Sequence, residues 1–283
     1  MGVFIGHTLR LPGDHAYVVP FGDAHKGAVE FTENGERKLL GYVDWVLERE
    51  NAFAALMGDL ISGQTSAGPG QPKDEVLSYD EQCDLVFETF RPLFKERRVL
   101  WILRGNHEDK VERQAGIKHD PIGRLVRRWD REVRYDVEGL YGGYESLVNL
   151  VLRGPKSCGN RGGVRYVIYA HHGSSGAMTD GGRLNAVKRL RNNADADIYI
   201  MAHVHKPMFT WDEEMAVSPR GVPHMRKRYY VVNGAMLDRV VDWEQPSLNY
   251  AARGAMAPTP KRFARIRLGA DNIHKGKDIF VTT

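Results

Sequence analysis

Aspartate, asparagine and histidine gather immediately after short apolar runs along this 283-residue chain. Gly22-Asp23-Ala24-His25 follows the first such run, Gly58-Asp59 the second and Gly105-Asn106-His107-Glu108 the third. His171-His172-Gly173 and His203-Val204-His205 follow two more. Six of the chain's 11 histidines stand in these few places. Singly, each is ordinary: Gly-Asp after a strand is a common turn, and a buried histidine is usually a hydrogen-bonded structural residue. Five together, at the carboxyl edge where an α/β sheet presents ligands, make the arrangement a metal site requires. Carboxylate, amide oxygen and imidazole without thiolate suit manganese, iron, zinc or a similar divalent ion rather than a structural zinc. Seven ligands exceed one tetrahedral ion. They fit two ions about 3.5–4 Å apart that share one carboxylate and a bridging hydroxide, a pair that clamps the entering and leaving oxygens of an in-line displacement at phosphorus.

The elements that must position these groups are read from periodicity. Strands are expected at Tyr17–Phe21, Phe53–Met57, Val99–Leu103, Val164–Ala170, Ile198–Ala202 and Tyr229–Val232, with Pro20 a weak point in the first. Leu39, Val43, Val46 and Leu47 share one helical face, so a helix from about Lys38 to Glu50 should pack on the sheet. Ser78 and Glu81 have capping-box spacing before an apolar stripe through Val86, Phe87, Phe90, Leu93 and Phe94, which Pro92 is expected to kink or interrupt. Strands alternating with helices predict layered α/β architecture. Gly63–Lys73, rich in glycine, serine and proline, is expected to be a loop flanking the site, in the place of a substrate-facing flap. Basic residues cluster on helices expected after Pro121 (Arg124, Arg127, Arg128, Arg131) and after Gly182 (Lys188, Arg189, Arg191). A solvated helix face is the ordinary reading of such runs, and contact with phosphate or nucleic acid the alternative. From Asp242 onward the chain is less regular, with weaker strand candidates at Ala264–Leu268 and Ile279–Val281 that would complete or cap a sheet edge. No internal repeat or boundary divides residues 1–283, so one domain is expected.

Composition is consistent with this. Hydrophobic residues make up 42% and charged residues 27%, an ordinary globular mixture. Cys83 and Cys158 are too few for a disulfide framework or a thiolate zinc site. A net charge of +4 tolerates an anionic partner without demanding one. The apolar runs are far shorter than the roughly 20 residues that span a bilayer, and no signal-like N-terminus stands out. The expectation is a cytoplasmic protein without membrane partners.

Asp23-x-His25, Gly58-Asp59, Gly105-Asn106-His107-Glu108, His171 and His203-x-His205, in this order, resemble the five signature blocks of the calcineurin-like metallophosphoesterases. The resemblance runs from about Tyr17 to Gly234. It implies a layered α/β metallophosphoesterase fold, with central mixed β-sheets sandwiched by helices and a metal site at the carboxyl ends of strands. It implies a binuclear metal-dependent phosphoesterase carrying two divalent ions, manganese first and iron or zinc as alternatives. Asp23, His25, Asp59 and His205 would hold one ion, and Asp59, Asn106, His171 and His203 the other, with Asp59 as the bridge. His171 is preferred because it directly follows the apolar run; His172 remains open as the ligand in its place, or as a donor facing phosphate. His107 would sit beside the leaving oxygen and give it a proton or hydrogen bond, with Glu108 as a candidate to orient its ring.

The implied reaction is hydrolysis of a phosphate ester, with a metal-bridging hydroxide attacking phosphorus in line. Leu103–Glu108 is similar to the corresponding block of the serine/threonine protein phosphatases, but Ser62 and Gly63 stand where those enzymes carry an aspartate and an arginine. The DNA-repair exonuclease branch usually adds a sizeable cap after the last block, whereas 78 residues follow His205 here. The leading expectation is therefore a phosphodiesterase or phosphomonoesterase. A nuclease acting on DNA or RNA through the basic helices is the alternative, and a non-catalytic binding scaffold, which would have lost ligands, ranks last.

Overall fold

The computed structural model describes residues 3–64, 75–114, 120–155, 163–218, 221–239, 257–270 and 277–283. Its strands are β1 (Val3–Arg10), β2 (His15–Phe21), β3 (Ala52–Met57), β4 (Val99–Leu103), β5 (Glu145–Arg153), β6 (Val164–His171), β7 (Ile198–Met201), β8 (Met208–Val217), β9 (Pro223–Val232), β10 (Arg265–Gly269) and β11 (Ile279–Thr282). Its α-helices are α1 (Glu33–Leu47), α2 (Tyr79–Lys95), α3 (Asn106–Gln114), α4 (Pro121–Glu132) and α5 (Asp180–Arg189). The strands form two mixed sheets, in the orders β1-β5-β6-β7-β9-β8 and β11-β10-β2-β3-β4.

The main apolar core takes Val18, Phe21, Leu56 and Ile102 from the five-stranded sheet and Val148, Leu150, Ile168 and Ile200 from the six-stranded one. Leu39 and Val43 of α1, Phe90 of α2 and Trp129 of α4 join it. The opposite parity of the six-stranded sheet, Tyr169, Tyr199 and Met201, packs with Ala186, Val187 and Leu190 of α5 and its continuation. Alternate residues of β6 and β7 thus serve two different interiors, as a sheet covered on both faces requires. This is the α/β sandwich expected from the sequence.

Local chemistry explains where the helices begin and how they continue. Ser78 and Glu81 close a complete capping box on α2, worth about 1 kcal/mol. The helix continues through Pro92 to Lys95 without the interruption expected of it. The cost of an interior proline, about 3 kcal/mol, is offset by burial of Phe87, Phe90, Leu93 and Phe94, at roughly 1.5–3 kcal/mol for each large apolar side chain. α1 starts at Glu33 rather than near Lys38 and ends at Leu47 rather than Glu50, since its polar first turn carries no apolar signal. Pro20 is accommodated because β10 pairs with β2 only as far as Val18, so β2 has one partner at that level.

β1, β5 and β8 were not foreseen. Leu147, Leu150 and Val151 in β5 fit helical as well as strand spacing, and β8 carries Asp212-Glu213-Glu214 at its centre. β10 pairs with β2, and β11 forms the outer edge of that sheet. Residues 65–73 of the expected loop lie outside the described residues, as do residues 242–256 of the C-terminal segment. No described helix is long and apolar enough to cross a membrane.

Candidate metal centre

The five chemistry-bearing segments follow β2, β3 and β4 of one sheet and β6 and β7 of the other, so the site sits across the edge of both sheets. Three sets of side chains bring a ligand atom each to within 4.8 Å of one another: Asp23, His25 and His205; His25, Asp59 and His107; and Asp59, His172 and His203. His25 and Asp59 join the sets into one cluster. His25 Nε2 lies 3.1 Å from His205 Nε2 and 3.9 Å from Asp59 Oδ2. His205 Nε2 is 3.4 Å from Asp23 Oδ1. His172 Nε2 is 3.3 Å from Asp59 Oδ2 and 3.2 Å from the Asn106 side-chain oxygen.

His172, and not His171, reaches this cluster. Tyr166, Ile168 and Ala170 face the main core, and the period of two carries His172 onto the same side. Its Nδ1 contacts the Met57 carbonyl at 2.7 Å, which selects the tautomer that presents Nε2 to the site. His171 falls on the other face, opposite Glu145 of β5, where its Nδ1 accepts the Gly173 N–H at 2.8 Å. The preference for His171 is therefore corrected to His172. Both faces of β6 bury apolar residues, so the sequence gives no parity from which to choose.

The expectation that Glu108 orients His107 is also corrected. Glu108 is fully buried, and its carboxylate accepts the backbone N–H groups of Asp59 (3.0 Å), Leu60 (2.7 Å), Ile61 (3.3 Å) and Gly105 (2.8 Å). It ties the loop after β3 to the turn after β4. Gly105 permits their approach, since a Cβ there would collide with Asp59. His107 instead uses Nδ1 to contact the Ser62 carbonyl, while its ring stands edge-on to His25 at 4.4 Å. The sequence reading missed Gln82, a buried α2 side chain whose amide oxygen accepts the N–H groups of Ser62 (3.1 Å) and Gly63 (3.0 Å). A polar residue on the apolar side of that helix was its only signal.

Backbone strain converges on the same place. Six described non-glycine residues have positive φ, and five of them are Asp23 (50°), His25 (45°), Asp59 (50°), His203 (72°) and His205 (58°). Such conformations cost on the order of 1–3 kcal/mol each and persist where surroundings over-determine them. Here backbone bonds do so: the Asp23 carboxylate accepts the His203 N–H at 3.0 and 3.1 Å, and Asp59 Oδ1 accepts the His107 N–H at 2.8 Å. Asp59 thus stands at the positive N-terminus of α3.

Electrostatics fit a cation. Against a burial that pushes it up, the His172 and His107 rings hold Asp59 well below the usual carboxylate range. Burial lowers His172, but Asp59 outweighs it and holds the imidazolium up to about 10. Burial, with the neighbouring His172, takes His203 down to about 4, and burial with His107 takes His25 well below its ordinary value. Burial and the Asp59 charge push Glu108 up to about 7. The Nδ1 of His203 is buried with no hydrogen-bond partner among the described residues. An orphaned imidazole nitrogen among two buried carboxylates is costly in a protein alone and accounted for by a metal ligand. The His25 and His205 Nε2 atoms, 3.1 Å apart, are close enough to be ligands of one ion. The donor set therefore fits divalent cations.

The cluster forms the floor of a cleft of about 310 Å³, with Lys110, Met178, Arg183 and Leu237 among its walls. Several cations of the basic helices are already neutralised outside it. Arg128 pairs with Asp84 at 2.6 Å, Lys188 with Asp212 at 2.8 Å, and Arg191 with Glu214.

Two mixed sheets flanked by helices, with a His/Asp cluster at the strand ends, define a metallophosphoesterase architecture. The family model for calcineurin-like phosphoesterases matches residues 17–207, and the chain belongs to that family. It is thereby a metal-dependent phosphoester hydrolase in general class. No curated protein matches the chain. Among solved structures, a conserved uncharacterised protein of Streptococcus pneumoniae TIGR4, described as a predicted phosphoesterase, aligns at 9% identity and TM-score 0.34, over 95% of this chain and 98% of the other. The NAD nucleotidase of Haemophilus influenzae aligns at 10% identity and TM-score 0.33, over 95% of this chain and 49% of its own. At those scores neither bears on substrate.

Proposed function

We propose that the protein hydrolyses a phosphate ester with two divalent ions, manganese foremost, held by Asp23, His25, Asp59 and His205 on one side and by Asp59, Asn106, His172 and His203 on the other. The observation that carries this reading is the sharing of His25 and Asp59 between the His/Asp sets on the floor of one cleft. When bound, such ions acidify water and neutralise phosphoryl charge. The chain's own groups then divide the remaining work. Asp59, oriented by the His107 N–H and the Glu108 brace, keeps the two halves of the donor set together. His107, its ring fixed through the Nδ1–H that the Ser62 carbonyl accepts, keeps Nε2 for the leaving oxygen and donates to it as the imidazolium, the form that burial disfavours and that Asp59 and the Ser62 carbonyl favour. Small phosphodiesters or phosphomonoesters are the favoured substrates over polynucleotides, because Arg128, Lys188 and Arg191 pair with acidic neighbours.

The test is hydrolysis of a bis-aryl phosphodiester and an aryl phosphomonoester by metal-stripped protein with manganese restored, beside an Asp59→Asn control. Two ions per chain and manganese-dependent turnover lost in the control support the reading. The rate ratio between esters assigns the substrate class. Failure to bind metal overturns it.

A further inference from the structure

Lys110 is one of the cations lining the cleft, with Arg183 and Arg239, that the proposed metal chemistry does not use, and Arg183 is paired with Asp180 at 3.2 Å. Lys110 lies on α3 one turn after His107, so both side chains share a helix face, and both line the cleft. The other charges of that helix are committed: Asp109 and Glu112 to Arg104 at 2.6 and 2.9 Å, Arg113 to Asp109 at 2.6 Å, and Glu108 to backbone N–H groups. Lys110 is half-buried and forms no ion pair or hydrogen bond among the described residues. Its charge is nonetheless felt at the His107 ring. A partly desolvated ammonium left unpaired beside the group that serves the leaving oxygen is unfavourable unless an anion arrives with the substrate.

We infer that Lys110 binds an anionic group carried by the leaving portion of the substrate, so that the preferred esters have a negatively charged leaving group, such as a second phosphate or a carboxylate. This rests on the hydrolase reading above and narrows it. A neutral alcohol or phenol leaves Lys110 unpaired, whereas a nucleoside polyphosphate or another acid-bearing ester satisfies it. The site is a specificity determinant and needs no further covalent step.

The experiment compares 4-nitrophenyl phosphate with its ring-carboxylated analogue, in manganese-loaded wild type and in Lys110→Met. A charge-assisted contact should give the wild type a kcat/KM preference of about tenfold or more for the carboxylated ester, and Lys110→Met should bring that ratio toward one. Calorimetric binding of the corresponding aryl phosphonates, with and without the carboxylate, reads the same contrast without turnover. A wild-type ratio near one, or a preference that survives Lys110→Met, overturns the inference and leaves the hydrolase reading intact. A Lys110-dependent phosphonate contrast without turnover of either ester upholds the anion contact at Lys110 and overturns simple aryl esters as substrates. Oligothymidylate in the same series separates the sources of the anion: cleavage faster than that of the carboxylated ester, and equally dependent on Lys110, identifies it as the next phosphate of a chain.

Discussion

Replacing Glu108 by glutamine keeps the size of the side chain and removes one acceptor. In the wild type one carboxylate oxygen accepts the N–H groups of Asp59 and Gly105, and the other those of Leu60 and Ile61. The glutamine amide must turn its NH2 toward one of these pairs, leaving two buried donors facing a donor. Each orphaned donor costs about 1–3 kcal/mol, so Glu108→Gln should lose at least about 2 kcal/mol from a stability of ordinary size, about 5–15 kcal/mol. A loss of that size lowers Tm by about 3 °C in a chain of this length. The comparison belongs at pH 8, because burial and Asp59 push the Glu108 carboxyl up to about 7 and the brace requires its ionised form. Thermal unfolding of metal-free protein measures the effect, and metal titration should show a further 10- to 100-fold loss of affinity as Asp59 loosens. A variant melting within about 1 °C of wild type, with unchanged metal affinity, would refute the view that Glu108 holds the two loops in place.

Three further outcomes are expected. His172→Ala should lose metal, with affinity weakened at least tenfold, while His171→Ala retains it; elemental analysis after gel filtration distinguishes the two, and equal loss from both contradicts the assignment. Metal uptake at pH 7–8 should release protons, because Asp59 holds the His172 imidazolium up to about 10 and a ring must be neutral to bind metal. Affinity should therefore rise with pH through that range, and calorimetry in buffers of different ionisation heat counts the protons; a heat independent of buffer contradicts the pairing. Ser78→Ala should cost about 1 kcal/mol in urea unfolding by opening the α2 capping box, with no change in metal stoichiometry.

Most of the candidate site was legible in the sequence because its clustered residues sit one to four residues past apolar runs of strand character. That rule picks out the segments that hold Asp23, His25, Asp59, Asn106, His203 and His205, and the resemblance to the family's signature blocks implies which residue in each would face a cation. The rule failed at His171-His172, where the question is not proximity to the strand end but which face a residue occupies. A β6 strand apolar on both faces erases the alternation that would answer it. The rule was also silent about long-range supports. Gln82 on α2 and Ser62 after β3 are distant in sequence, and nothing local marks a buried amide as the clamp on another segment's N–H groups. Glu108 was found by its place in a motif but given the wrong partner, since its four donors come from two loops that only the fold juxtaposes.

The same juxtaposition explains why strain collects at this edge. Asp23, His25, Asp59, His203 and His205 adopt left-handed backbone just past strand ends, where their side chains converge on the cluster. Aspartate tolerates that conformation better than β-branched or bulky residues, and histidine is enriched there as well. The residue types that can ligate a cation are thus also ones that can occupy these turns. Gly58 and Gly105 supply the close approach that side chains would forbid, and the Glu108 carboxylate holds it. Ligand chemistry, turn geometry and loop bracing therefore constrain the same few positions, which is how a short pattern such as Gly-Asn-His-Glu can specify a site whose other half lies on a different sheet.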